Sequence, residues 1–259
     1  NQALHYANQG VTINEIHNVY EVPKSLQQQW AARSYHGDSQ NNSRAVINRF
    51  LGFYDGNPVN LHPMSPQDSA PLYVEMMGGS ANIMAKGKEL NGQGRYLETS
   101  EILNKLVFAE PRNQAAREML ADAYEQLGYQ AESTSVRNSY LQGSYELRHG
   151  LPGGKPIRTT GPDVVRAMST EMWLDFLGIS MDPKKAEGIR FTINLVTPDN
   201  GEKYLVELSN ATLTNIQGFQ APNPDLTLTI NRADLEQVMA GQKTLDAQIA
   251  AGVARVQGD

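Results

Sequence analysis

The stretch that decides the fold runs from residue 94 to residue 138 and reads GRYLETSEILNKLVFAEPRNQAAREMLADAYEQLGYQAESTSVRN. Three of its residues recur 34 positions later in the same order, so that Gly94, Glu98 and Asn104 return as Gly128, Glu132 and Asn138. One turn earlier, the small residue Gly87 likewise returns as Ala121. A fixed period of this length indicates a supersecondary unit that is copied along the chain.

The repeat is typical of tetratricopeptide helical hairpins, which have a period of about 34 residues and carry a small residue, an aromatic residue and a glycine at set positions. The second copy supplies Ala121, Tyr124 and Gly128 in that order. Because such helices cannot bury their apolar faces alone, they stack on neighbours. We therefore predict an all-α interaction domain in the middle of the chain, with too few repeats for a long solenoid.

The patterns divide the chain of 259 residues into three predicted segments. Residues 1–60 read as helices with loops, and residues 61–150 contain the helical repeat. Residues 151–156, Leu-Pro-Gly-Gly-Lys-Pro, read as a linker. In residues 151–259, alternation with a period of two predicts an antiparallel sheet with helices at both ends. The predicted fold class is α+β, with an all-α helical domain before an antiparallel-sheet domain.

Two helix starts follow from local chemistry. Ser65 stands before Pro66, and a serine cap followed by proline at the first helical position favours a helix start. Asn231 is followed three residues later by Asp234, which predicts a capping box in which the two residues satisfy each other's amides.

Composition excludes several classes of protein. The formal net charge is −6 and no basic run is longer than Lys184-Lys185, so nucleic-acid binding is not expected. The absence of cysteine excludes disulfides, thiol nucleophiles and Cys-ligated zinc. No apolar run reaches about 18 residues, so no membrane span is expected. The chain begins at Asn1 in what reads as the middle of a helix, which predicts a fragment or a processed product.

The residues alone predict no catalytic residue and no metal ligand. The five histidines are His5, His17, His36, His62 and His149. None of them lies at the spacing of a helical zinc motif, and no Gly-x-Ser-x-Gly nucleophile turn occurs. A zinc site assembled from scattered histidines stays open as an alternative. The residues therefore indicate a binding and assembly role, and they do not indicate that the chain is an enzyme by itself.

Apolar side chains suggest two further sites. Large residues of the third segment form mostly core but can leave a cleft for an alkyl or acyl chain, and the candidates for lining it are Met172, Trp173, Phe176, Phe191 and Phe219. In the helical segment, candidates for exposed contacts between two copies are Tyr124, Leu127 and Leu141. Stacking inside one chain is the alternative for these three.

Long motifs resemble the bacterial zinc-dependent alkylsulfatases, a metallo-β-lactamase-type sulfatase family. The block RSYHGDSQNNSRAVINRFLGFYDGNP at residues 33–58 resembles one of that family's blocks. The run YVEMMGG at residues 73–79 and the stretch of residues 113–148 look like the same family. The resemblance extends over nearly the whole chain and its order of segments.

The resemblance implies a protein of three parts. A metallo-β-lactamase-type domain carries two zinc ions that hydrolyse the sulfate ester, a helical domain dimerises, and a domain similar to sterol carrier protein type 2 handles the alkyl chain. Residues 1–60 then match the last helices of the zinc domain, and residues 151–259 match the carrier-like domain. The family's His-x-His-x-Asp-His zinc motif does not occur in this chain, so zinc is expected in the parent enzyme and not on these residues.

The resemblance also names candidate residues near the substrate, which are Asn41, Asn42 and Tyr54. Where the family carries Ser-His-Asn, this chain has Gln40-Asn41-Asn42. The family's histidine is believed to lie near the sulfate, so no catalytic role is carried over to Asn41. Tyr54 matches the family block.

Two functions from different classes follow. The first is the C-terminal part of an alkyl sulfate ester hydrolase, which supplies homodimer contacts and recruits an apolar substrate. The second is a complete, non-enzymatic lipid-binding or adaptor protein. The family resemblance implies a bacterial protein in the periplasm or outside the cell, with a cytoplasmic location still open.

Overall fold

The computed structural model of the chain describes residues 1–154 and 161–258. The chain divides into two compact units, Asn1–Gly154 and Lys155–Asp259. The boundary falls inside the stretch predicted as a linker, of which Lys155 and Pro156 lie outside the described residues. A further division at residue 60 stays a prediction.

The first unit is helical in its described part. Its α-helices are α1 (Gln2–Asn8), α2 (Ile16–Val19), α3 (Lys24–Gln27), α4 (Ser39–Leu51), α5 (Pro66–Met76), α6 (Ser80–Gly92), α7 (Tyr96–Ala109), α8 (Gln114–Gln130) and α9 (Thr134–His149). The second unit combines helices with a sheet. Its elements are α10 (Pro162–Ala167), α11 (Thr170–Ser180), α12 (Pro183–Ala186), β1 (Phe191–Thr197), β2 (Glu202–Ser209), β3 (Thr212–Gln217), β4 (Leu226–Thr229), α13 (Arg232–Met239), α14 (Leu245–Ala250) and β5 (Arg255–Gly258). The predicted α+β class is confirmed.

The predicted helical hairpins are formed by α6 with α7 and by α8 with α9. Their shared core is apolar and fully buried, and it contains Ile83, Leu103, Leu106, Ala116 and Leu120. At the small-residue position, a methyl group on Gly87 would lie 3.1 Å from the Met119 sulfur and 3.3 Å from Leu103. The helices therefore approach closely because this position carries no side chain.

The two glycines that match in the repeat have different roles. Gly94 follows the end of α6 with φ of +73°, a conformation that glycine adopts without strain. Gly128 lies inside α8, where an added Cβ would come 2.9 Å from Leu141 Cδ2. The roles differ because α8 continues to Gln130 and is longer than α6.

The expectation that Tyr124, Leu127 and Leu141 are exposed contacts is wrong. All three are partly buried. The Tyr124 ring lies 5.7 Å from the Tyr140 ring, and Leu141 packs over Gly128. Tyr124 and Leu141 use their apolar surface within the hairpin of α8 and α9, which is the alternative that the sequence left open.

The sheet has the strand order β3-β2-β1-β4-β5. The pairs β1–β2 and β2–β3 are antiparallel, as predicted, and so is the pair β4–β5, but β1 and β4 run parallel, with Leu195 opposite Leu228. The sheet is therefore mixed, because the chain crosses from β3 to the far side of β1 before it forms β4. Sequence reasoning missed β5, whose four residues are all exposed and show no alternation.

Both predicted helix starts are confirmed, since α5 begins at Pro66 and α13 begins at Arg232, directly after Asn231. Ser65 Oγ accepts the amide N–H of Asp68 at 3.2 Å at the start of α5. The predicted capping box at Asn231 is wrong, since the Asn231 side chain caps nothing. Instead Asp199, in the turn between β1 and β2, accepts the amides of Arg232 and Ala233 at 2.6 and 3.1 Å. Desolvation raises the pKa of Asp199, but these amides and the backbone amides of Asp199 and Asn200 together lower it more, so the pKa is below its usual value.

Candidate functional site

The second unit contains a partly open apolar cavity of about 200 Å³ between its sheet and its helices. The residues that line it are Trp173, Leu174, Leu177, Phe191, Ile193, Leu195, Val206, Leu213, Leu228, Leu235, Val238 and Leu245. They come from four strands and three helices, so the cavity lies where the sheet packs against the helices of this unit.

Local periodicity explains why these side chains meet. Alternate residues of β1 point to one face of the sheet, and Phe191, Ile193 and Leu195 all line the cavity. On α11, Trp173 and Leu177 are four residues apart and share one helical face. The cavity is thus the space that an amphipathic helix and a half-buried sheet leave unfilled.

The chemistry of the cavity is limited to apolar contact. Every residue that lines it is hydrophobic, so it offers no acid, base or nucleophile. At about 30 Å³ for each water-sized group, a volume of 200 Å³ holds about seven such groups. Apolar cavities of this scale stay dry and accept small hydrocarbons.

Two of the five predicted lining residues line the cavity, and three do not. Trp173 and Phe191 line the cavity. Met172, Phe176 and Phe219 do not, and they are 56%, 44% and 63% exposed. The prediction favoured aromatic residues and methionine and missed the aliphatic residues of β2 to β4, α13 and α14. Strand alternation alone could have found several of these.

The substrate-proximal candidates lie at opposite ends of α4. Asn41 and Asn42 are exposed in its first turn, where the Asn41 amide donates to Asp38 Oδ1 at 2.9 Å. Tyr54 follows the end of the helix and is also exposed. Asn41 lies ten residues before Leu51, the last residue of α4. At a rise of 1.5 Å per residue, the two residues are about 15 Å apart along the helix axis. Within this chain, Tyr54 and the two asparagines therefore belong to different surfaces.

The loop before α4 is attached to the start of α9. Ser133 and Ser135 both donate their hydroxyls to the His36 carbonyl, at 3.0 and 2.8 Å. Thr134 donates its amide and its hydroxyl to the Tyr35 carbonyl, at 2.8 and 3.0 Å. These contacts fix the position of Asn41 and Asn42 relative to the helical repeat.

The described residues do not fit a zinc site. Across residues 1–154 and 161–258, no group of three or more His, Asp or Glu side chains is close enough to hold a metal ion. Two of the five histidines make other contacts. His5 lies within hydrogen-bond distance of Gln9, at 3.2 Å, and the His149 ring stacks on the Tyr145 ring with their centres 4.3 Å apart. Nor does any described helix have the length and apolar character needed to cross a bilayer.

Comparison with known families decides the identity. The sequence model described as "Alkyl sulfatase dimerisation" matches residues 12–150. The chain belongs to the alkyl sulfatase dimerisation family. A second model, "Alkyl sulfatase C-terminal", matches residues 158–259. The resemblance stated from the sequence is therefore confirmed.

Individual alkylsulfatases match along the whole chain. A linear primary-alkylsulfatase of a Pseudomonas species is 40% identical over 100% of this chain and 38% of its own length. An alkyl/aryl-sulfatase of Saccharomyces cerevisiae is 38% identical, over 100% of the chain and 40% of its own length. The solved structure of a stereoselective inverting sec-alkylsulfatase from Pseudomonas superposes with a TM-score of 0.87 at 38% identity, with 100% of this chain and 40% of that one covered. The chain thus spans about two fifths of the length of these relatives.

Proposed function

We propose that this chain is the C-terminal portion of an alkyl sulfate ester hydrolase. The observation that carries the proposal is the match of the entire chain, at 40% identity, to an alkylsulfatase that is longer than it. In this proposal the first unit assembles the enzyme as a homodimer, and the second unit receives the alkyl part of the substrate. The cleavage of the ester belongs to the rest of the enzyme.

The apolar cavity supports the proposed role of the second unit. A hydrocarbon chain that enters it leaves water and gains about 25 cal/mol for each Å² of buried surface. A charged sulfate has no partner among the residues that line the cavity. The cavity therefore favours the tail of the substrate over its head, and an uncharged alcohol product over the ester. The likeness of this unit to sterol carrier protein type 2 stays part of the proposal.

Zinc, in this proposal, is held by residues outside the chain. This is consistent with the described residues, which bring no cluster of metal-binding side chains together. Asn41, Asn42 and Tyr54 remain candidates for contact with the substrate once the rest of the enzyme is in place. Their exposure in this chain leaves them free for such contacts.

An activity assay tests this division of labour. The purified chain is incubated with sodium dodecyl sulfate below its micelle concentration, with and without added zinc, and released sulfate is measured. We expect no sulfate release and no stoichiometric zinc by elemental analysis. Zinc-dependent turnover by the 259 residues alone would contradict the proposal.

The intact mass of the protein in its native host tests whether the chain is part of a longer enzyme. Relatives of which the chain covers 40% are about 2.5 times as long, since 100 divided by 40 is 2.5. An antibody against the chain should therefore detect a protein of about 2.5 times 28.6 kDa. A native protein of 28.6 kDa would favour the non-enzymatic alternative.

A further inference from the structure

The apolar cavity of the second unit has a deep side and a side toward solvent. Its buried lining residues are Leu174, Leu195, Val206, Leu228 and Leu235. The other lining residues are half-buried, and they are Trp173, Leu177, Phe191, Ile193, Leu213, Val238 and Leu245. A polar head group that lost its water here would find no hydrogen-bond partner, so an amphiphile enters this cavity with its alkyl chain first.

The deep side ends at side chains that fill the space beyond Leu195. In the register of the sheet, Leu195 lies opposite Tyr204 on β2 and opposite Leu228 on β4. Tyr204 and Ile230, which follows Leu228 by two residues, are each 1% exposed and belong to the same core. Neither of them lines the cavity. An alkyl chain that enters therefore stops at these two side chains.

The wall formed by the sheet is held in place by backbone hydrogen bonds. β1 lies inside the sheet, between β2 and β4, and it pairs with both. Moving Leu195 or Val206 outward would break these pairings and leave buried amides and carbonyls without partners. Protein cores are close-packed and relax only partly around empty space. The volume of the cavity is therefore set by the fold.

This volume is small for the ligands that the likeness to sterol carrier protein type 2 would suggest. At about 30 Å³ for each methylene-sized group, 200 Å³ holds about seven carbons of an alkyl chain. On the same scale, an acyl chain of sixteen carbons needs about 480 Å³, which is more than twice the space. A sterol contains more carbon atoms than that chain, so the cavity excludes both ligands.

We propose that the cavity selects alkyl chains by length and accepts about seven carbons. The inference rests on the proposed function, and it names the class of substrate that the second unit receives, which is a short to medium alkyl chain. Carbons up to this length leave water and contact the lining residues. Further carbons stay in water on the half-exposed side, together with the head group, and add little to the affinity.

A series of straight 1-alcohols from 1-pentanol to 1-dodecanol, added to the full chain, tests the length limit. Binding is followed by the fluorescence of Trp173, which lines the cavity. Each buried methylene group strengthens binding about fourfold, so the dissociation constant should fall by this factor for each carbon up to 1-heptanol or 1-octanol. Beyond that length we expect a change of about twofold or less for each carbon. Hexadecanoate should bind no more tightly than octanoate.

A pair of variants tests whether the volume of this cavity sets the limit. Leu235→Ala removes three carbons from the deep side and adds about 90 Å³, so the limit should move to about ten carbons. The matched control is Leu205→Ala, which removes the same atoms from a half-buried residue on the opposite face of β2 from Val206. We expect its limit to equal that of the wild type. Circular dichroism checks that both variants fold, and the wild-type series decides the inference by itself if Leu235→Ala does not.

The outcomes separate this inference from the proposed function. A wild-type chain that binds none of the alcohols would overturn the proposed role of the second unit and the length limit with it. A dissociation constant that keeps falling about fourfold for each carbon up to 1-dodecanol would keep the proposed role and overturn the length limit. Hexadecanoate that binds far more tightly than octanoate, or a limit that both variants shift equally, would also overturn it.

Discussion

The substitution Val238→Phe tests the cavity of the second unit through two effects of opposite direction. Val238 faces the cavity from α13. The cavity leaves about 200 Å³ beside Val238 without side-chain atoms. A phenylalanine fills part of that volume, so we expect the free energy of unfolding to rise by about 1–2 kcal/mol.

The same substitution should weaken ligand binding, because the added ring occupies the space of the ligand. We expect the dissociation constant for 1-octanol to rise by about tenfold or more. Trp173 lines the cavity and reports both effects by fluorescence. The chain has two tryptophans, and Trp30 is 74% exposed in the first unit, so Trp30→Phe provides a background with a single reporter.

Urea unfolding and octanol titration are then measured in that background. The control is Val164→Phe on α10, because Val164 is 41% exposed and does not line the cavity. It should change stability by about 0.5 kcal/mol or less and leave binding unchanged. If Val238→Phe destabilises the unit by more than about 1 kcal/mol, or if octanol binds it as tightly as wild type, the reasoning is refuted.

Two further predictions concern the packing and the pH dependence of the fold. The methyl group of Gly92→Ala, at the end of α6, meets no atom within 4 Å, so this variant should stabilise the first unit by about 0.5–1 kcal/mol. The methyl group of Gly128→Ala would contact Leu141. In thermal unfolding this second variant should therefore be less stable than Gly92→Ala by about 1–3 kcal/mol. Equal stability of the two variants would show that Leu141 moves aside freely. Asp199→Ala removes the carboxylate that caps α13 and should cost about 1 kcal/mol at pH 7. Since the folded pKa of Asp199 is lowered, its contribution is present above the unfolded pKa of about 3.9 and is lost as pH falls through the folded value. The stability difference between the variant and the wild type should therefore begin to shrink near pH 4 and continue to shrink as the pH falls further. A difference that persists unchanged at pH 2 would contradict this assignment.

Much of the fold could be predicted because it depends on local patterns. The helical hairpins follow from a repeat whose small residues sit at the contact between helices, as Gly87 does. The start of α5 follows from the serine and proline before it. The antiparallel strands follow from alternation around one hairpin loop.

The remaining features depend on contacts between distant parts of the chain. The parallel pair of β1 and β4 arises from a crossover that alternation does not encode. The cap of α13 comes from Asp199, which lies 33 residues before Arg232. The lining of the cavity brings together aliphatic residues from several elements, and each of them alone reads as ordinary core.

The most direct test of the central claim locates an alkyl chain on the protein. Methyl groups of the full chain are isotopically labelled, 1-octanol is added, and intermolecular nuclear Overhauser effects are recorded. Our account predicts contacts from the octyl chain to the methyl groups of Leu213, Leu228 and Leu245, which line the cavity. Contacts confined to the exposed side chains of Met172 and Ile179, or none at all, would contradict it.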